Sequence, residues 1–394
     1  MVFVLSSDNV WEYLQSKKII PSIEISPNEI KAKDCKNFNL LVTFHQDRHV
    51  LVKQERFNSQ GKTKGEFQQE WLIHQLVHNF PELNCLQALI GQVIDYDRDN
   101  SIIVFNYLHN YCDLADFYDQ EPNFSIAITA AVGKALATIH HLTFNCDNYR
   151  DFLIKESNYN LLKKPNIATK LNEITPEIFG QVGEDAITFY RLYQRESVIA
   201  EAIEKLNRRW INCCLVHSDF RLVNILLSLS WQEQIFSNTQ QGEKNNIIRI
   251  IDWERFCWGD PAFDLGTILA NYLKLWLESL IIGTDIDIRT ALSLATIPLE
   301  IIQPSLLALI NSYLATFPEI SKFNPNFITK VIQFAGLHLI ELILAKIEYR
   351  EPFDNTGICM LQVAKILLCH PQESMVTVLG EKISRDAIYR VFTE

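Results

Sequence analysis

The chain has 394 residues, 48% of them apolar and 21% charged, and a formal net charge of −11. That is enough material for a large core and for two lobes or domains, and the acidic balance excludes the basic footprint that nucleic-acid phosphates demand. The nine cysteines stand singly apart from Cys213-Cys214, with no Cys-x-x-Cys pair, which reads as the reduced thiols of a cytoplasmic protein rather than a disulfide frame or zinc site. The start, Met1 to Leu5, lacks the basic region and length of a signal peptide. Lys274 and Glu278 interrupt the best candidate for a membrane span, so no membrane partner is expected.

In chain order, Val10, Trp11, Leu14 and Ile19 predict a short helix over residues 8–20. Strands follow at Ser22 to Ile25, Phe38 to Phe44 and Val50 to Lys53, the last two joined by the polar turn His45 to Arg48. Alternation puts Leu51 and Lys53 on one face and Val50 and Val52 on the other, so Lys53 can face a cleft. An ordinary exposed edge lysine is the plain alternative. In the next helix, from Gly65 to His74, Glu70 is three residues from both Phe67 and Ile73 and shares their apolar face, where a carboxylate calls for a cation. Glu66, one turn earlier, is the other candidate. A second hairpin is expected from Ala88 to Tyr96 and Ser101 to Tyr107, after which the chain leaves the sheet through Leu108. That sets a boundary between a lobe of residues 1–107 and one of residues 108–394.

Beyond it, Ala127 to Leu142 predicts a buried helix ending at His140-His141. Neighbouring positions on a helix point apart, so the two histidines read as core or surface residues and not as a metal site. Trp231 to Asn246, polar and containing Gly242, reads as a hairpin tip or surface loop. After Leu265 the pattern is helical almost throughout.

The chemistry concentrates between Leu215 and Leu265. Asp219, Asn224 five positions later, and Asp252 at the end of the β-branched run Ile247 to Ile251 supply three oxygen-bearing side chains. Phosphoryl transfer from ATP needs a carboxylate beside the attacking hydroxyl and oxygen ligands that hold Mg²⁺ against the phosphates. Each residue alone has a bland reading, since an Asp at a strand end caps many turns. Asp260 with Pro261 behind it reads as a helix cap, and Asp264 as a group that holds the loop of Asp219 by hydrogen bonding.

The stretch His217-Ser218-Asp219 to Asn224, then Ile251-Asp252-Trp253-Glu254 and Gly259-Asp260-Pro261-Ala262-Phe263-Asp264-Leu265, resembles the aminoglycoside phosphotransferase and choline kinase-like family. The resemblance implies an α+β, protein-kinase-like two-lobe fold, with a small antiparallel-sheet N-lobe and a large, mainly helical C-lobe. It further implies that Asp219 is the catalytic base, that Asn224 and Asp252 bind Mg²⁺, that Lys53 holds the α- and β-phosphates of ATP with Glu70 as its partner, and that Asn106 to Leu108 line the adenine pocket. One departure is the phosphate-covering loop: Cys35-Lys36-Asn37-Phe38-Asn39 contains no glycine, which hinders close approach of backbone to phosphate.

The expected activity is transfer of the γ-phosphate to a hydroxyl of a small molecule. Only Trp253 to Trp258 separate Asp252 from Gly259, leaving no room for a segment that docks a protein substrate, which disfavours a protein kinase. A catalytically silent nucleotide-binding scaffold is the alternative. The acceptor is undecided between aminoglycoside, choline, homoserine and sugar-like molecules. Trp210, Trp258 and Trp276 are either an aromatic cage for a quaternary amine or, more simply, core. Nothing in the sequence fixes an oligomeric state.

Overall fold

The alternation along Val50 to Lys53 is the seam on which the first part of the molecule is built. A computed structural model describes residues 3–380 apart from 21–26, 28, 34–36, 45–47, 165–170, 172–182, 242–245, 284 and 287. The chain divides into two units, one made of Met1–Leu114, Asp147–Leu161 and Asn224–Phe256, the other of Ala115–Cys146, Leu162–Val223 and Cys257–Glu394. The strand expected at Ser22 to Ile25, the turn at His45 to Asp47, and Cys35 and Lys36 of the glycine-free loop lie outside the described residues.

In the first unit, β1 (Glu29–Lys33), β2 (Phe38–Thr43), β3 (His49–Gln54), β4 (Val93–Asp97) and β5 (Ile102–Asn106) form an antiparallel sheet in the order β1-β2-β3-β5-β4. Burial along β3 alternates residue by residue, with Val50, Val52 and Gln54 inside. Leu40, Val42, Val50, Val52, Ile102 and Val104 pack on Val10, Tyr13 and Leu14 of helix α1 (Val10–Ser16). The opposite row, including Leu51, Ile103 and Phe105, packs on Phe67 of α2 (Glu66–Asn79). Lys53 belongs to this second row, so the pleat alone aims it at the α2 side of the sheet.

The second hairpin is shorter than its composition implies. Residues Pro81–Ala88 form a 3₁₀ helix because Pro81 presets the first turn and Leu83 and Leu86, three apart, both turn inward. Ile90 makes only an isolated bridge to Ile250, so strand pairing starts at Val93. A smaller sheet of β6 (Tyr111–Asp113), β8 (Ile225–Ser228) and β9 (Ile248–Ile250) completes this unit. The expected surface loop between β8 and β9 is instead a helix over Trp231–Gln241. Trp231 and Ile235, one turn apart and both half-buried, give it an inward stripe, and the Gln234 side chain donates to the Ser228 and Ser230 hydroxyls at 2.9 Å, bracing its first turn.

The second unit is mainly helical. The helix Ile126–Thr143 packs along Leu299–Thr316, and Pro261–Glu278 packs along Phe327–Glu348. Gly266 permits the latter approach: a Cβ there would stand 2.5 Å from Phe334 Cβ and 2.8 Å from the Val331 carbonyl oxygen. Among the described residues Phe327–Glu348, not the run cut by Lys274 and Glu278, is the helix with the length and apolarity to cross a membrane. It is mostly buried within this unit. One two-stranded pair, β7 (Cys214–Val216) with β10 (Cys257–Gly259), sits against these helices.

Candidate active site

In the first unit the charges gather where strand ends meet α2. Asn224 immediately precedes β8, and its carbonyl accepts from the Ile251 amide at 3.0 Å, which ties it to the strand end that carries Asp252. Asp252 holds a left-handed backbone, φ 69°, uncommon outside glycine and concentrated at functional sites. Its Oδ1 lies 3.9 Å from Lys53 Nζ. Lys53 also stands over the Phe105 ring, 5.1 Å from its centroid.

Glu70 is 1% exposed and its Oε2 has no hydrogen-bond partner among the described residues. Burial first, then the Asp252 charge, push its pKa up to about 8, against the pull of Lys53. Of the two glutamates weighed on this helix, Glu70 is the buried one and feels Lys53; Glu66 is half-buried at the first turn. Asn39, directly opposite Lys53 in the ladder, is likewise buried, and its Oδ1 has no hydrogen-bond partner among the described residues. Trp253 is buried and donates from Nε1 to the Ile250 carbonyl at 3.2 Å, which gives it a bracing role.

Among the described residues no group of three His, Cys, Asp or Glu side chains could hold a metal ion unaided. Asp252 and Asn224 offer two oxygen-bearing side chains, which suits Mg²⁺ because it is normally held by one or two protein oxygens with phosphates and water completing its shell. The two buried, unmet oxygens of Glu70 and Asn39 equally suit a site made for a polar guest. At the end of β5, Asn106 spends its amide on the Gln92 carbonyl at 2.8 Å and its side chain on Gln92 Oε1 at 2.7 Å. The Leu108 amide makes no hydrogen bond among the described residues, which leaves one backbone donor unspent there.

In the second unit the loop after β7 carries Asp219, 9% exposed. Its backbone is fixed from below by Asp264, which is fully buried and accepts from the amides of His217 at 2.7 Å and Ser218 at 2.9 Å. Those two bonds hold Ser218 in a left-handed conformation, φ 65°, a state that costs an L-residue about 1–2 kcal/mol. His217 Nδ1 in turn accepts from the Asp219 amide at 3.2 Å, so His217 braces the loop.

Asp264 has a further partner that the sequence did not disclose. His140 Nε2 lies 3.3 Å from it, and His140 Nδ1 is 2.8 Å from the Tyr313 hydroxyl. His140 is thus a buried strut, while His141 is exposed and faces Glu319. Asp260 caps the helix Pro261–Glu278 through the Ala262 amide at 3.1 Å, also accepts from the Ile211 amide, and pairs with buried Lys330. Arg221, two residues past Asp219, was also missed; its guanidinium lies on the Asp219 carboxylate.

Residues 39–287 match the sequence profile of the phosphotransferase enzyme family. The chain belongs to that family. It is an enzyme, a small-molecule kinase with the kinase-like fold. No curated protein sequence matches it. Among solved structures, a glucosamine kinase in complex with glucosamine, ADP and inorganic phosphate is similar over 96% of this chain and 88% of its own, at 11% identity and a TM-score of 0.52, a likeness of fold. A choline/ethanolamine kinase family protein from Mesorhizobium loti (13% identity, 94% and 99% coverage, TM-score 0.48) and the gentamicin complex of APH(2")-IIa (16% identity, 95% and 99% coverage, TM-score 0.48) are further neighbours.

The second unit of this phosphotransferase contains a cavity of about 630 Å³, lined among others by Asp116, Asp119, Arg221, Asn271, Lys274 and Glu278. It is large enough for a small molecule. The three tryptophans considered as a cage do not line it. Trp258 is fully buried, and Trp210 packs edge-on against Phe263 and Phe334, so both are core.

Proposed function

We propose that this phosphotransferase moves the γ-phosphoryl group of ATP, with Mg²⁺, to a hydroxyl of a small molecule, with residues 1–107 as the N-lobe and 108–394 as the C-lobe. The observation that carries the reading is the convergence of Lys53, Glu70 and Asp252 in one electrostatic group, with Glu70 buried and incompletely satisfied. Such a group is costly to build and is matched by a polyanion with its cation.

In this reading Lys53 meets the α- and β-phosphates, Glu70 orients Lys53, and Asn106 and Leu108 flank the adenine, Leu108 through its amide. Asn224 and Asp252 would hold Mg²⁺, which when bound neutralises charge that spreads over the phosphates. Asp219 takes the proton of the acceptor hydroxyl as that oxygen bonds to the γ-phosphorus and the bond to the ADP oxygen breaks. The cavity lined by Arg221 and Lys274 receives the acceptor. The free thiols at every described cysteine fit a reducing, cytoplasmic compartment.

The test is nucleotide binding with and without Mg²⁺, followed by ADP release over a panel of aminoglycosides, amino alcohols and sugars. Asp219→Ala should lower kcat about 10²- to 10⁴-fold with ATP affinity nearly intact. Asp252→Ala should abolish Mg²⁺-dependent binding as well as turnover. Equal and small effects from both would leave the silent scaffold as the better reading.

A further inference from the structure

Asp219 does not present a bare carboxylate. Arg221 Nη2 donates to its Oδ2 at 2.8 Å, while Nε lies 2.6 Å from Oδ1 as an ion contact without the alignment of a hydrogen bond. The Arg221 amide also donates to the Asp219 carbonyl at 2.8 Å, so the arginine folds back over the residue two positions before it. Both oxygens of the base are therefore engaged by one guanidinium. The Asp219 side chain is 11% exposed and that of Arg221 39%. The covering group, not the covered one, is what meets solvent and lines the cavity.

A carboxylate paired to arginine through both oxygens is a poorer proton acceptor than a free one, because the cation stabilises the charged form that must be neutralised. When Asp219 takes a hydroxyl proton its charge is lost, and with it the attraction to the guanidinium, so the step is costlier for as long as Arg221 stays in place. A water molecule brings little with which to displace a guanidinium. A molecule that fills the cavity brings oxygens to which Arg221 can turn, since that cavity already borders the arginine. We infer that Arg221 is a positioning residue that keeps the base covered until an acceptor occupies the cavity, and so holds back transfer of the phosphoryl group to water. In the reaction it prevents, a water proton would pass to Asp219, the water oxygen would bond to the γ-phosphorus, and ADP would leave, giving inorganic phosphate.

This inference rests on the phosphotransfer reading above, and the experiment separates the two. ADP and phosphate release from Mg·ATP would be measured without any acceptor for the parent, Arg221→Gln, Arg221→Lys and the Asp219→Ala/Arg221→Gln double variant, with Mg·ATP binding checked for each by thermal shift. Arg221→Gln should raise acceptor-independent hydrolysis at least about tenfold, the effect of removing one charged hydrogen bond from the base. Arg221→Lys, which keeps the charge but not the fork, should fall between it and the parent. The gain should vanish in the double variant, which a merely structural effect of the arginine would not produce. Once an acceptor is known, Arg221→Gln should also raise its KM by more than it lowers kcat. Intact Mg·ATP binding with unchanged or slower hydrolysis in Arg221→Gln would overturn the clamp alone. A parent that binds no Mg·ATP would overturn both readings.

Discussion

Asp264→Asn isolates the strut beneath the loop of Asp219. The substitution keeps the side-chain shape but turns one acceptor oxygen into an NH₂ group, so one of the two backbone amides of His217 and Ser218 loses its acceptor at a position with 0% exposure. A buried donor left unmet costs about 1–3 kcal/mol. The left-handed strain of Ser218, about 1–2 kcal/mol, then has one compensating bond where it had two. We expect a loss of about 2–4 kcal/mol in urea unfolding, with the relaxed loop moving the Asp219 carboxylate. A displacement on the order of 1 Å at a reacting group costs about 10²-fold in rate, so kcat should fall by that order while Mg·ATP affinity, which draws on other residues, stays close to the parent's. Unfolding within about 0.5 kcal/mol of the parent, a spread typical of indifferent surface changes, together with unchanged kcat would refute the strut.

Two other changes probe charge burial. Glu70 has its pKa raised from 4.5 to about 8, so the folded chain keeps a proton that the unfolded chain releases; the associated stability is full below about 4.5 and is lost as pH rises through about 8. Glu70→Gln escapes that loss, and its Tm should gain a few degrees on the parent's between about pH 5 and pH 9; a pH-independent difference would contradict the burial argument. Lys330→Met strands the Asp260 carboxylate in the core and should cost about 3–5 kcal/mol, most of it recovered in Lys330→Met/Asp260→Asn, as urea titrations of the single and double variants would reveal.

What could be read from the sequence divides along physical lines. The placement of Lys53 and Glu70 was legible because each is one member of a local periodicity, a pleat in one case and a helical face in the other, and the apolar neighbours that define the face lie within four residues. Asp219, Asn224 and Asp252 stood out as candidates because their spacing matches a motif, while the brace that holds the Asp219 loop comes from Asp264, more than forty residues on. The helix over Trp231–Gln241 was missed because its polar composition and nearby Gly242 outweighed the two apolar side chains that actually anchor it.

The strut under the Asp219 loop was half legible. Asp264 could be anticipated from its place in the Gly259 to Leu265 segment, but His140 and Tyr313 are 124 and 173 residues from their partners, and no local pattern marks a buried histidine as a brace rather than as one more core residue. Arg221 differs again, since it stands beside Asp219 in the sequence and was overlooked because an arginine near a carboxylate reads as an unremarkable surface pair. Exposed pairs of that kind are worth little. What sets this one apart is that its carboxylate is almost wholly covered and belongs to the residue proposed to take the acceptor proton, so under that proposal a contact of small energetic weight for the fold would decide when the carboxylate is available.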